Sequence, residues 1–431
     1  MKIAIAGTGY VGLVTGVCLA EVGHENVVCV DVDEKKVELM KAGVAPIYEN
    51  DLEDLMVKNY ELGRLHYTTD YKNAYKDADV IIVAVGTPER SDGSANLDYI
   101  KIVANEIADT INKDTLIVIK STVPIGTNEK IEKYITNKLK NDVKIEVASN
   151  PEFLSQGTAV KDTLNASRIV VGVESEWAKD ILERIYTPFN QPIVVTNRNS
   201  AEMIKYASND FLALKISFMN DIANLCEIVG ANIEDVAKGM SFDDRIGSKF
   251  LRAGIGYGGS CFPKDTKALH WLATHNGYEL KTVKAAIEVN ENQKLKLVRK
   301  ASDLVETFED IKVAILGLTF KPETDDIREA PSIPNIKYLI ERGSNVVAYD
   351  PIGIENTKRI FKDSISYTKS IDEAIENADL CLIMTEWKDV VNYDLNKYKE
   401  KMNKALVLDG RNCYKMEDAK DAGIEYYSIG R

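Results

Sequence analysis

Residues 1–12 read Met-Lys-Ile-Ala-Ile-Ala-Gly-Thr-Gly-Tyr-Val-Gly, an apolar run that ends in a cluster of glycines. The apolar run predicts a buried β-strand over residues 2–6, and the pattern from Leu13 to Val22 is helical. A second apolar strand, Val27 to Val30, ends at Asp31. Strand, Gly-x-Gly-x-x-Gly turn, helix, strand and terminal acid, in this order, are typical of the Rossmann dinucleotide-binding unit.

Each glycine of this turn has its own predicted role in holding a dinucleotide. Gly7 makes the tight turn, Gly9 lets a pyrophosphate approach the backbone, and Gly12 lets the helix pack closely on the strand. The pyrophosphate would lie at the helix N-terminus. Asp31 would accept hydrogen bonds from the adenosine ribose, and its charge would repel a 2′-phosphate, which favours NAD over NADP. The alternative is a Rossmann-like domain that has lost its ligand.

The alternation of strands and helices continues beyond this unit. Three further buried strands are predicted at Asp79 to Val85, Leu116 to Ile119 and Ile145 to Ala148. Because open α/β sheets bind ligands beyond the carboxyl ends of their strands, Thr87, Thr122 and Glu152 are candidates to meet a cofactor or substrate. A threonine that only closes a turn explains Thr87 or Thr122 equally well.

The segment from Asn199 to Val229 contains no glycine or proline and predicts one long, largely apolar helix. Asn199 followed by Glu202 predicts its capped start. Lys205 and Asn209 are one helical turn apart and share a face. Burying a charge is costly, so a lysine on the buried face of such a helix indicates a function. The alternative is that both side chains point to solvent.

Gly254 to Asp265 reads Gly-Ile-Gly-Tyr-Gly-Gly-Ser-Cys-Phe-Pro-Lys-Asp. Pro263 suits the first turn of a helix, and Thr266 to Leu272 is helical in pattern. Cys261 would then precede a helix N-terminus, where the dipole and free N–H groups favour the thiolate. The stretch predicts a nucleophilic sulfur, and a small residue packed in a tight turn is the alternative.

From about residue 311 the chain repeats the pattern of its beginning. The echoes of the N-terminal strands are Ile311 to Gly317, Asn345 to Asp350 and Asn377 to Ile383, after a second helical stretch from Leu280 to Val305. Gly317 opens a longer turn that carries Lys321 and Arg328 in place of the glycine motif. This turn, with Arg411 after a later strand, predicts a site for another anion such as a nucleoside diphosphate. Surface ion pairs are the alternative.

The predicted fold class is therefore α/β, with two Rossmann-like, doubly wound parallel-sheet domains joined by a helical middle segment with one long central helix. The domain boundaries are predicted at 1–198, 199–306 and 307–431. A net charge of −13 argues against nucleic acid or an anionic membrane as a partner. The six cysteines are scattered without metal-type spacing, and no apolar run is long enough to span a membrane. These features predict a cytoplasmic protein without a metal site or a signal peptide.

Taken together, the motifs resemble the nucleotide-sugar 6-dehydrogenases, the UDP-glucose/GDP-mannose dehydrogenase family. The resemblance covers the whole chain and includes GTGYVGLVTGVCLAEVGH (7–24), VGTP with DGSANL (85–97), KSTVPIGT (120–127), NPEFL (150–154), AEMIKYASNDFLALKISFMNDIANLCE (201–227), GYGGSCFPKDTKAL (256–269) and FKPETDDIREAPS (320–332). It implies an NAD domain, a helical middle used for dimerisation, and a C-terminal UDP-sugar domain. A homodimer or higher homo-oligomer is the implied assembly.

The implied reaction is the oxidation of the C6 alcohol of UDP-glucose to the carboxylate of UDP-glucuronate with two NAD⁺. Cys261 would attack the C6 aldehyde, the thiohemiacetal would lose a second hydride to give a thioester, and water would hydrolyse it. By the same resemblance, Lys205 and Asn209 stabilise oxyanion charge, and Asp265 positions and helps to activate the water. Thr122 and Glu152 complete the implied polar network. Which of these groups takes each proton stays open.

The resemblance also assigns binding residues. The implied cofactor contacts are Gly7, Gly9, Tyr10, Val11, Gly12, Asp31, Lys36, Thr87, Thr122, Glu152, Lys264 and Arg328. The implied substrate contacts are Glu152, Phe153, Leu154, Lys205, Asn209, Arg245, Phe250, Leu251, Gly254, Tyr257, Gly258, Cys261, Phe320, Lys321 and Arg411. Arg245 is similar to an arginine that reaches the neighbouring subunit's substrate, and Arg328 to one that reaches the NAD.

The chain departs from the family pattern where many members read NPEFLREG, since Ser155-Gln156-Gly157 follows Leu154 here. A 6-dehydrogenase of another nucleotide sugar, a UDP-N-acetylhexosamine or GDP-mannose, is therefore the alternative within the class. A two-electron hydroxyacid-type dehydrogenase would make one NADH for each product and has no use for Cys261. A non-catalytic nucleotide-sugar sensor is the third reading.

Overall fold

A computed structural model describes residues 1–431 as two compact units, Met1–Ser208 and Asn209–Arg431. Each unit contains its own largely parallel, Rossmann-like sheet, and helices dominate the chain between them, which confirms the predicted fold class. The three domain boundaries stay predictions. None of the helices combines the length and apolar character needed to cross a lipid bilayer.

The first unit has an eight-stranded sheet with strand order β3-β2-β1-β4-β5-β6-β7-β8. Its strands are β1 Ile3–Ala6, β2 Val27–Val30, β3 Leu65–Thr68, β4 Val80–Val83, β5 Thr115–Ile119, β6 Ile145–Ser149, β7 Ile169–Gly172 and β8 Ile193–Thr196. Its helices are α1 Tyr10–Glu21, α2 Glu34–Lys41, α3 Leu52–Glu61, α4 Tyr71–Lys76, α5 Asp98–Thr110, α6 Thr127–Thr136, α7 Ala159–Leu164 and α8 Glu176–Tyr186, which a 3₁₀ turn at Thr187–Phe189 follows. Neighbouring strands pair in parallel except β6 and β7.

Successive side chains of β1 pack alternately into the apolar cores on the two faces of this sheet. Ile3 and Ile5 pack into one apolar cluster, and Ala4 and Ala6 pack into the other. A strand covered on both faces has no polar side, which is why β1 is continuously apolar in sequence. Helix α1 begins at Tyr10, three residues before the predicted Leu13, because the turn leads directly into the helix.

The long helix α9, Arg198–Val229, follows β8 and has 32 residues. Its predicted cap is wrong. The backbone N–H of Ser200 bonds to the Asn197 side chain at 2.8 Å, so Asn197 caps the helix. The Glu202 carboxylate accepts instead from the N–H groups of Gly126 and Asn128, at 2.6 and 2.9 Å, and ties the helix to the start of α6.

The second unit has a six-stranded parallel sheet with strand order β11-β10-β9-β12-β13-β14. Its strands are β9 Lys312–Leu316, β10 Asn345–Tyr349, β11 Ser366–Thr368, β12 Leu380–Ile383, β13 Leu406–Asp409 and β14 Glu425–Tyr427. Its helices after α9 are α10 Ile233–Ser241, α11 Phe262–His275, α12 Lys281–Gln293, α13 Lys296–Ser302, α14 Ser332–Glu341, α15 Ile354–Phe361, α16 Ile371–Ile375, α17 Lys388–Val391, α18 Asn396–Lys401 and α19 Met416–Asp421, with a 3₁₀ turn at Lys362–Ser364.

This second sheet repeats the two-faced packing of the first. Val313 and Ile315 of β9 face one apolar cluster, and Ala314 and Leu316 face the other. The predicted helical stretch from Leu280 to Val305 is two helices, α12 and α13. The loop before α11 contains the glycines of the cysteine stretch. Helix α11 begins at Phe262, and Pro263 lies in its first turn, as the sequence predicted.

Candidate active site

The glycine turn after β1 has the geometry that a dinucleotide requires. Gly7 has φ of +94°, and a Cβ on Gly12 would lie 2.0 Å from the Gly7 carbonyl oxygen. No protein atom lies within 4 Å of a Cβ placed on Gly9, so that position is open. Gly9 is also the N-cap of α1, and Val11 lies in the first turn of this helix. Small residues are therefore required at Gly7 and Gly12 by the fold, and Gly9 leaves room for a ligand's phosphates.

Asp31 lies directly after β2 and turns toward this glycine turn. One carboxylate oxygen accepts from the Thr8 N–H at 2.9 Å and from the Thr8 hydroxyl at 2.5 Å, and the other accepts from the Asp33 N–H at 3.0 Å. Burial acts to raise the pKa of Asp31, but these hydrogen bonds and the nearby charge of Lys36 outweigh it and lower the pKa. Asp31 is therefore a half-buried carboxylate that braces the turn.

Tyr10, at the start of α1, is held by its own chain. Its hydroxyl donates to the Tyr48 carbonyl oxygen at 2.7 Å and also contacts the Glu49 carboxylate. Glu49 in turn accepts from the N–H groups of Gly157 and Ala159, each at 2.7 Å. Gly157 of the segment that departs from the family pattern is thus connected through Glu49 to Tyr10 of the dinucleotide turn, a contact that no local sequence pattern predicts.

The two predicted threonines meet beyond the carboxyl ends of β4 and β5. The Thr87 hydroxyl donates to the Thr122 carbonyl oxygen at 2.8 Å. Ser121 also donates to the Val85 carbonyl oxygen at 2.7 Å, so the two strand ends are tied together. The Thr87 hydroxyl thus links the segments that follow two strands, and Thr87 lies at the sheet edge where a cofactor contact is predicted.

Glu152 and Lys205 form a buried ion pair in the first unit. The Lys205 Nζ lies 2.7 Å from the Glu152 carboxylate and 2.8 Å from its carbonyl oxygen, and both side chains are less than a tenth exposed. The Leu154 N–H donates to the other Glu152 oxygen at 2.8 Å. The Phe153 ring lies between two cations, with its centroid 5.6 Å from the Lys205 Nζ and 3.7 Å from the guanidinium carbon of Arg168. Lys205 is therefore buried and does not point to solvent.

Cys261 is the N-cap residue of α11 in the second unit. Its side chain is partly exposed, and its carbonyl oxygen accepts the Asp265 N–H at 2.8 Å, which begins the helix. The Ser260 hydroxyl lies 3.8 Å from the sulfur. A residue at this position lies at the positive end of the helix dipole, where the sequence predicted a nucleophilic cysteine.

Asp265 lies one turn into α11 and is only 1% exposed. The Asn209 side-chain amide donates to one of its oxygens at 2.7 Å, and the Lys264 ammonium approaches the other at 2.5 Å. Both of these predicted residues therefore meet at the same carboxylate. An amide has two N–H groups, and this contact uses one of those of Asn209.

The glycines before Cys261 allow two loops to touch. A Cβ on Gly258 would lie 2.4 Å from the Glu329 carbonyl oxygen, and one on Gly259 would lie 2.7 Å from the Phe320 ring. The Gly259 N–H also donates to the Arg328 carbonyl oxygen at 2.8 Å. The turn after β9 is thus held against the cysteine loop. The Arg328 side chain is largely exposed and forms a paired contact with Asp326.

Arg411 is used as a brace. Its guanidinium donates to the carbonyl oxygens of Met384, Gly256 and Phe320, at 2.8, 3.2 and 3.1 Å. The surface ion pair considered from the sequence is thus a minor part of its contacts, with Glu386 at 3.4 Å. The Lys321 Nζ lies 5.7 Å from the centre of the Phe320 ring. The structure therefore brings Gly256, Phe320 and Arg411 together in the second unit.

The other predicted substrate residues of the second unit lie between α10 and α11. Tyr257 and Phe250 pack on the Phe262 ring, with centroids 5.8 and 6.3 Å away. Of the predicted substrate residues in this loop, Leu251, Gly254, Tyr257 and Gly258 are buried. Arg245 has a 90% exposed side chain and contacts only Asp243 of its own chain, at 2.6 Å. It is not joined to the other substrate residues.

Among the buried ionisable groups that the sequence did not single out are Asp210 and Lys120. Asp210 follows Asn209 on α9 and is 4% exposed, and the signal that singled out Lys205, a charge on a largely apolar helix, applied to it equally. Lys120 follows β5 and donates to the Asn150 side-chain oxygen at 2.9 Å. Burial lowers the pKa of Lys120 to about 8, partly offset by the Glu152 charge. No group of three or more His, Cys, Asp or Glu side chains is arranged to hold a metal ion.

Two Rossmann-like sheets, a dinucleotide turn in the first unit and a helix-capping cysteine in the second define the class as an α/β dehydrogenase of the nucleotide-sugar type. The chain belongs to the UDP-glucose/GDP-mannose dehydrogenase family. The family's NAD binding domain matches residues 1–190, its central domain matches 199–292, and its UDP binding domain matches 314–416.

Individual relatives agree with this membership. The chain is 49% identical to UDP-glucose 6-dehydrogenase YwqF of Bacillus subtilis, over all of this chain and 98% of that protein. It is 44% identical to UDP-glucose 6-dehydrogenase of Rhizobium meliloti, over the full length of both. Among solved structures, a UDP-glucose dehydrogenase from Pyrobaculum islandicum has a TM-score of 0.92 at 35% identity, covering 99% of this chain and 96% of that one.

Proposed function

We propose that this chain is an NAD-dependent dehydrogenase that oxidises the C6 alcohol of UDP-glucose to the carboxylate of UDP-glucuronate through an intermediate on Cys261. The observation that carries the proposal is Cys261 at the start of α11, one turn before an Asp265 carboxylate that Asn209 and Lys264 hold. A dehydrogenase that stops at the aldehyde needs no nucleophile, whereas one that continues to the acid needs one. Family membership and the names of the full-length relatives support the substrate.

The first unit has the residues that fit the cofactor. The open position at Gly9, the close contact below Gly12 and the carboxylate of Asp31 are what a dinucleotide's pyrophosphate and ribose require. NAD⁺, when bound, supplies the acceptor for hydride. Tyr10, Val11, Lys36, Thr87, Thr122, Glu152, Lys264 and Arg328 are the further proposed contacts.

Cys261 acts on the aldehyde that the first oxidation leaves. The thiolate forms an S–C bond with C6, and the carbonyl π pair moves to the oxygen. The resulting hemithioacetal keeps the C6–H on a tetrahedral carbon, and the electron pair on its oxygen can reform the C=O bond as hydride leaves to NAD⁺, which gives a thioester. Water then adds to the thioester carbonyl, the C–S bond breaks, and the thiol is regenerated with the carboxylate. Four electrons leave the substrate in total, so two NADH form for each product.

The polar residues of the two units have separate proposed tasks. The ammonium of Lys205 and the amide of Asn209 stabilise negative charge on the C6 oxygen. The Asp265 carboxylate orients the water and takes its proton, and Thr122 and Glu152 complete the polar network. The uridine diphosphate and the sugar are assigned to the remaining proposed substrate residues: Phe153, Leu154, Arg245, Phe250, Leu251, Gly254, Tyr257, Gly258, Phe320, Lys321 and Arg411.

The proposed assembly is a homodimer that covers the exposed face of α9. Phe211, Phe218, Leu225 and Ile228 recur on this helix at helical spacing and are 50–81% exposed. A second copy of the chain would remove this apolar surface from water, and the exposed Arg245 could then reach a neighbour. Phe218→Glu is expected to lower the mass measured by light scattering, while Tyr278→Glu, at an exposed aromatic residue outside this face, leaves the mass unchanged. The cytoplasm is the proposed location, in keeping with six cysteines that are scattered along the chain without the spacing of a disulfide framework.

NADH formation with UDP-glucose, UDP-N-acetylglucosamine, UDP-N-acetylmannosamine and GDP-mannose, measured side by side, tests the substrate. The alternative sugars stay in the panel because a UDP-D-ManNAc dehydrogenase from Pyrococcus horikoshii has a TM-score of 0.88 at 28% identity. UDP-glucose is expected to give two NADH per molecule consumed. Cys261→Ser is expected to lose net turnover, with Cys413→Ser as the matched control. No turnover of UDP-glucose, or full activity in Cys261→Ser, would contradict the proposal.

A further inference from the structure

Asp210 is a buried carboxyl that the proposed mechanism leaves without a task. It lies on α9 next to Asn209 and is 4% exposed. Neither of its oxygens has a hydrogen-bond partner among the protein's groups, and both are fully shielded from solvent. A carboxylate in such a place is strongly disfavoured, so the group keeps a proton instead of its charge.

The neighbouring Asp265 explains why the proton stays on Asp210. Both Asp265 oxygens are occupied, one by the Lys264 ammonium at 2.5 Å and the other by the Asn209 amide at 2.7 Å. A single ammonium balances only one of two buried carboxylates, and here its contact is with Asp265. Asp210 has no such partner, so it is the acid of this pair that keeps a proton.

The charged and titratable groups that act on Asp210 come from two elements. Asp265 and Lys264 belong to α11, and Tyr257 belongs to the loop before it. Burial raises the pKa of Tyr257 to about 12, so this hydroxyl stays neutral in the working range. Burial first, and then the negative charge of Asp265, raise the pKa of Asp210 to about 8, against a smaller opposing effect of Lys264.

We propose that Asp210 is a positioning residue that holds a proton beside Asp265 and thereby keeps a single negative charge next to the Cys261 helix start. The proposal rests on the function proposed above for Cys261 and Asp265. When alkaline solution removes the proton, a second buried anion competes with Asp265 for Lys264. It also opposes the negative charge that develops on the sulfur and on the C6 oxygen. Asp210 thus sets the alkaline limit of the reaction.

Asp210→Asn tests this role, because asparagine keeps the shape of the protonated acid and cannot ionise. In the parent protein, kcat with UDP-glucose and NAD⁺ is expected to fall as the pH rises through about 8. In Asp210→Asn this fall is expected to move up by about one pH unit or more. Asp221→Asn, an exposed acid on the same helix, is the matched control and should leave the fall where it is. An unmoved fall in Asp210→Asn, or an equal shift in Asp221→Asn, overturns the proposal.

Thermal unfolding against pH tests the same proton without any turnover. A carboxyl whose pKa is raised in the folded state binds a proton that the unfolded chain has already released. Stability therefore falls as the pH rises from the unfolded pKa of about 4 to the folded pKa of about 8. Asp210→Asn and Asp210→Ala both lack this fall. The Tm of each variant relative to the parent should therefore rise steadily from pH 5 to pH 8. A pH-independent Tm difference in both variants overturns the proposal, whereas loss of UDP-glucose turnover alone would count against the function and not against Asp210.

Discussion

The two sheets open with the same turn and use it for different purposes. Gly7 after β1 has φ of +94°, and Gly317 after β9 has φ of +97°. The Gly7 N–H donates to the Val30 carbonyl oxygen at 2.8 Å, and the Gly317 N–H donates to that of Tyr349 at the same distance. In both sheets the chain therefore leaves the first strand through a left-handed glycine that is tied to the end of the second strand.

An aspartate after the second strand completes this clamp in both units. Asp31 accepts from the Thr8 N–H at 2.9 Å, and Asp350 accepts from the Leu318 N–H at 2.7 Å. The difference lies in burial. Asp350 is completely buried and also takes the Trp387 indole N–H at 3.0 Å, whereas Asp31 is partly open to solvent. Asp350 has become wholly structural, while Asp31 keeps the exposure that a ribose contact requires.

The two turns also differ in the length of chain between the glycine and the next helix. In the first unit α1 starts at Tyr10, inside the glycine motif, so a helix N-terminus lies at the turn. In the second unit α14 starts only at Ser332, and the long loop before it carries Lys321 and Arg328. The glycine–aspartate clamp is therefore a folding device. The segment that follows it decides which phosphate ligand the sheet can take.

Replacing Gly12 should have the largest effect on this contrast. A side chain there would place its Cβ 2.0 Å from the Gly7 carbonyl oxygen, which cannot be relieved without moving α1. Gly12→Val is expected to lower the free energy of unfolding by about 3 kcal/mol and to abolish NAD binding measured by calorimetry. Gly239→Ala on α10, where nothing lies within 4 Å of the new Cβ, is the matched control. Normal NAD affinity in Gly12→Val would refute the assigned turn.

Replacing each of the two clamp aspartates by asparagine should distinguish a role in stability from a role in NAD binding. Asp350→Asn removes a buried acceptor that also takes the N–H groups of Ile352 and Gly353, at 2.9 and 2.6 Å, so a loss of about 2 kcal/mol in unfolding free energy is expected. Asp31→Asn should lower the unfolding free energy less than this. It should weaken NAD binding about tenfold and reduce the preference of the protein for NAD over NADP. Denaturant titration and calorimetry measure the two quantities. Equal losses of NAD affinity in both variants would contradict the assignment of Asp31 to binding and of Asp350 to structure.

Both clamps were predictable in large part from sequence, because they depend on local patterns. A glycine after an apolar strand and an acid after the next one predict the turn, and the echoes after residue 311 predict the second sheet. The helix cap at Asn199 was wrong because Glu202 reaches the backbone of Gly126 and Asn128, which are far away in sequence. The burial of Asp210 was missed for a related reason. No local pattern reports which face of α9 packs on α11.

A smaller effect is expected from the cation of the second turn. Lys321→Met keeps the length of the side chain and removes its charge near the Phe320 ring. If the long turn after Gly317 holds the nucleoside diphosphate, KM for UDP-glucose should rise about tenfold while KM for NAD⁺ stays constant. Steady-state kinetics with each substrate varied in turn measures this. A change confined to the KM for NAD⁺ would place Lys321 with the other ligand.

The smallest expected effect concerns the protonation of Asp31. Its folded pKa lies below the ordinary value, so its contribution to stability is present above an unfolded pKa of about 3.9 and is lost as the pH falls through the lower, folded value. Because the carboxylate is half exposed, solvent screens it, and the Tm advantage of the parent over Asp31→Asn should shrink by only about 2 °C between pH 6 and pH 3. Calorimetric scans at each pH measure this difference. A Tm advantage that grew toward low pH would mean that the folded chain binds the proton more tightly than the unfolded chain, contrary to a carboxylate held by the Thr8 N–H and hydroxyl.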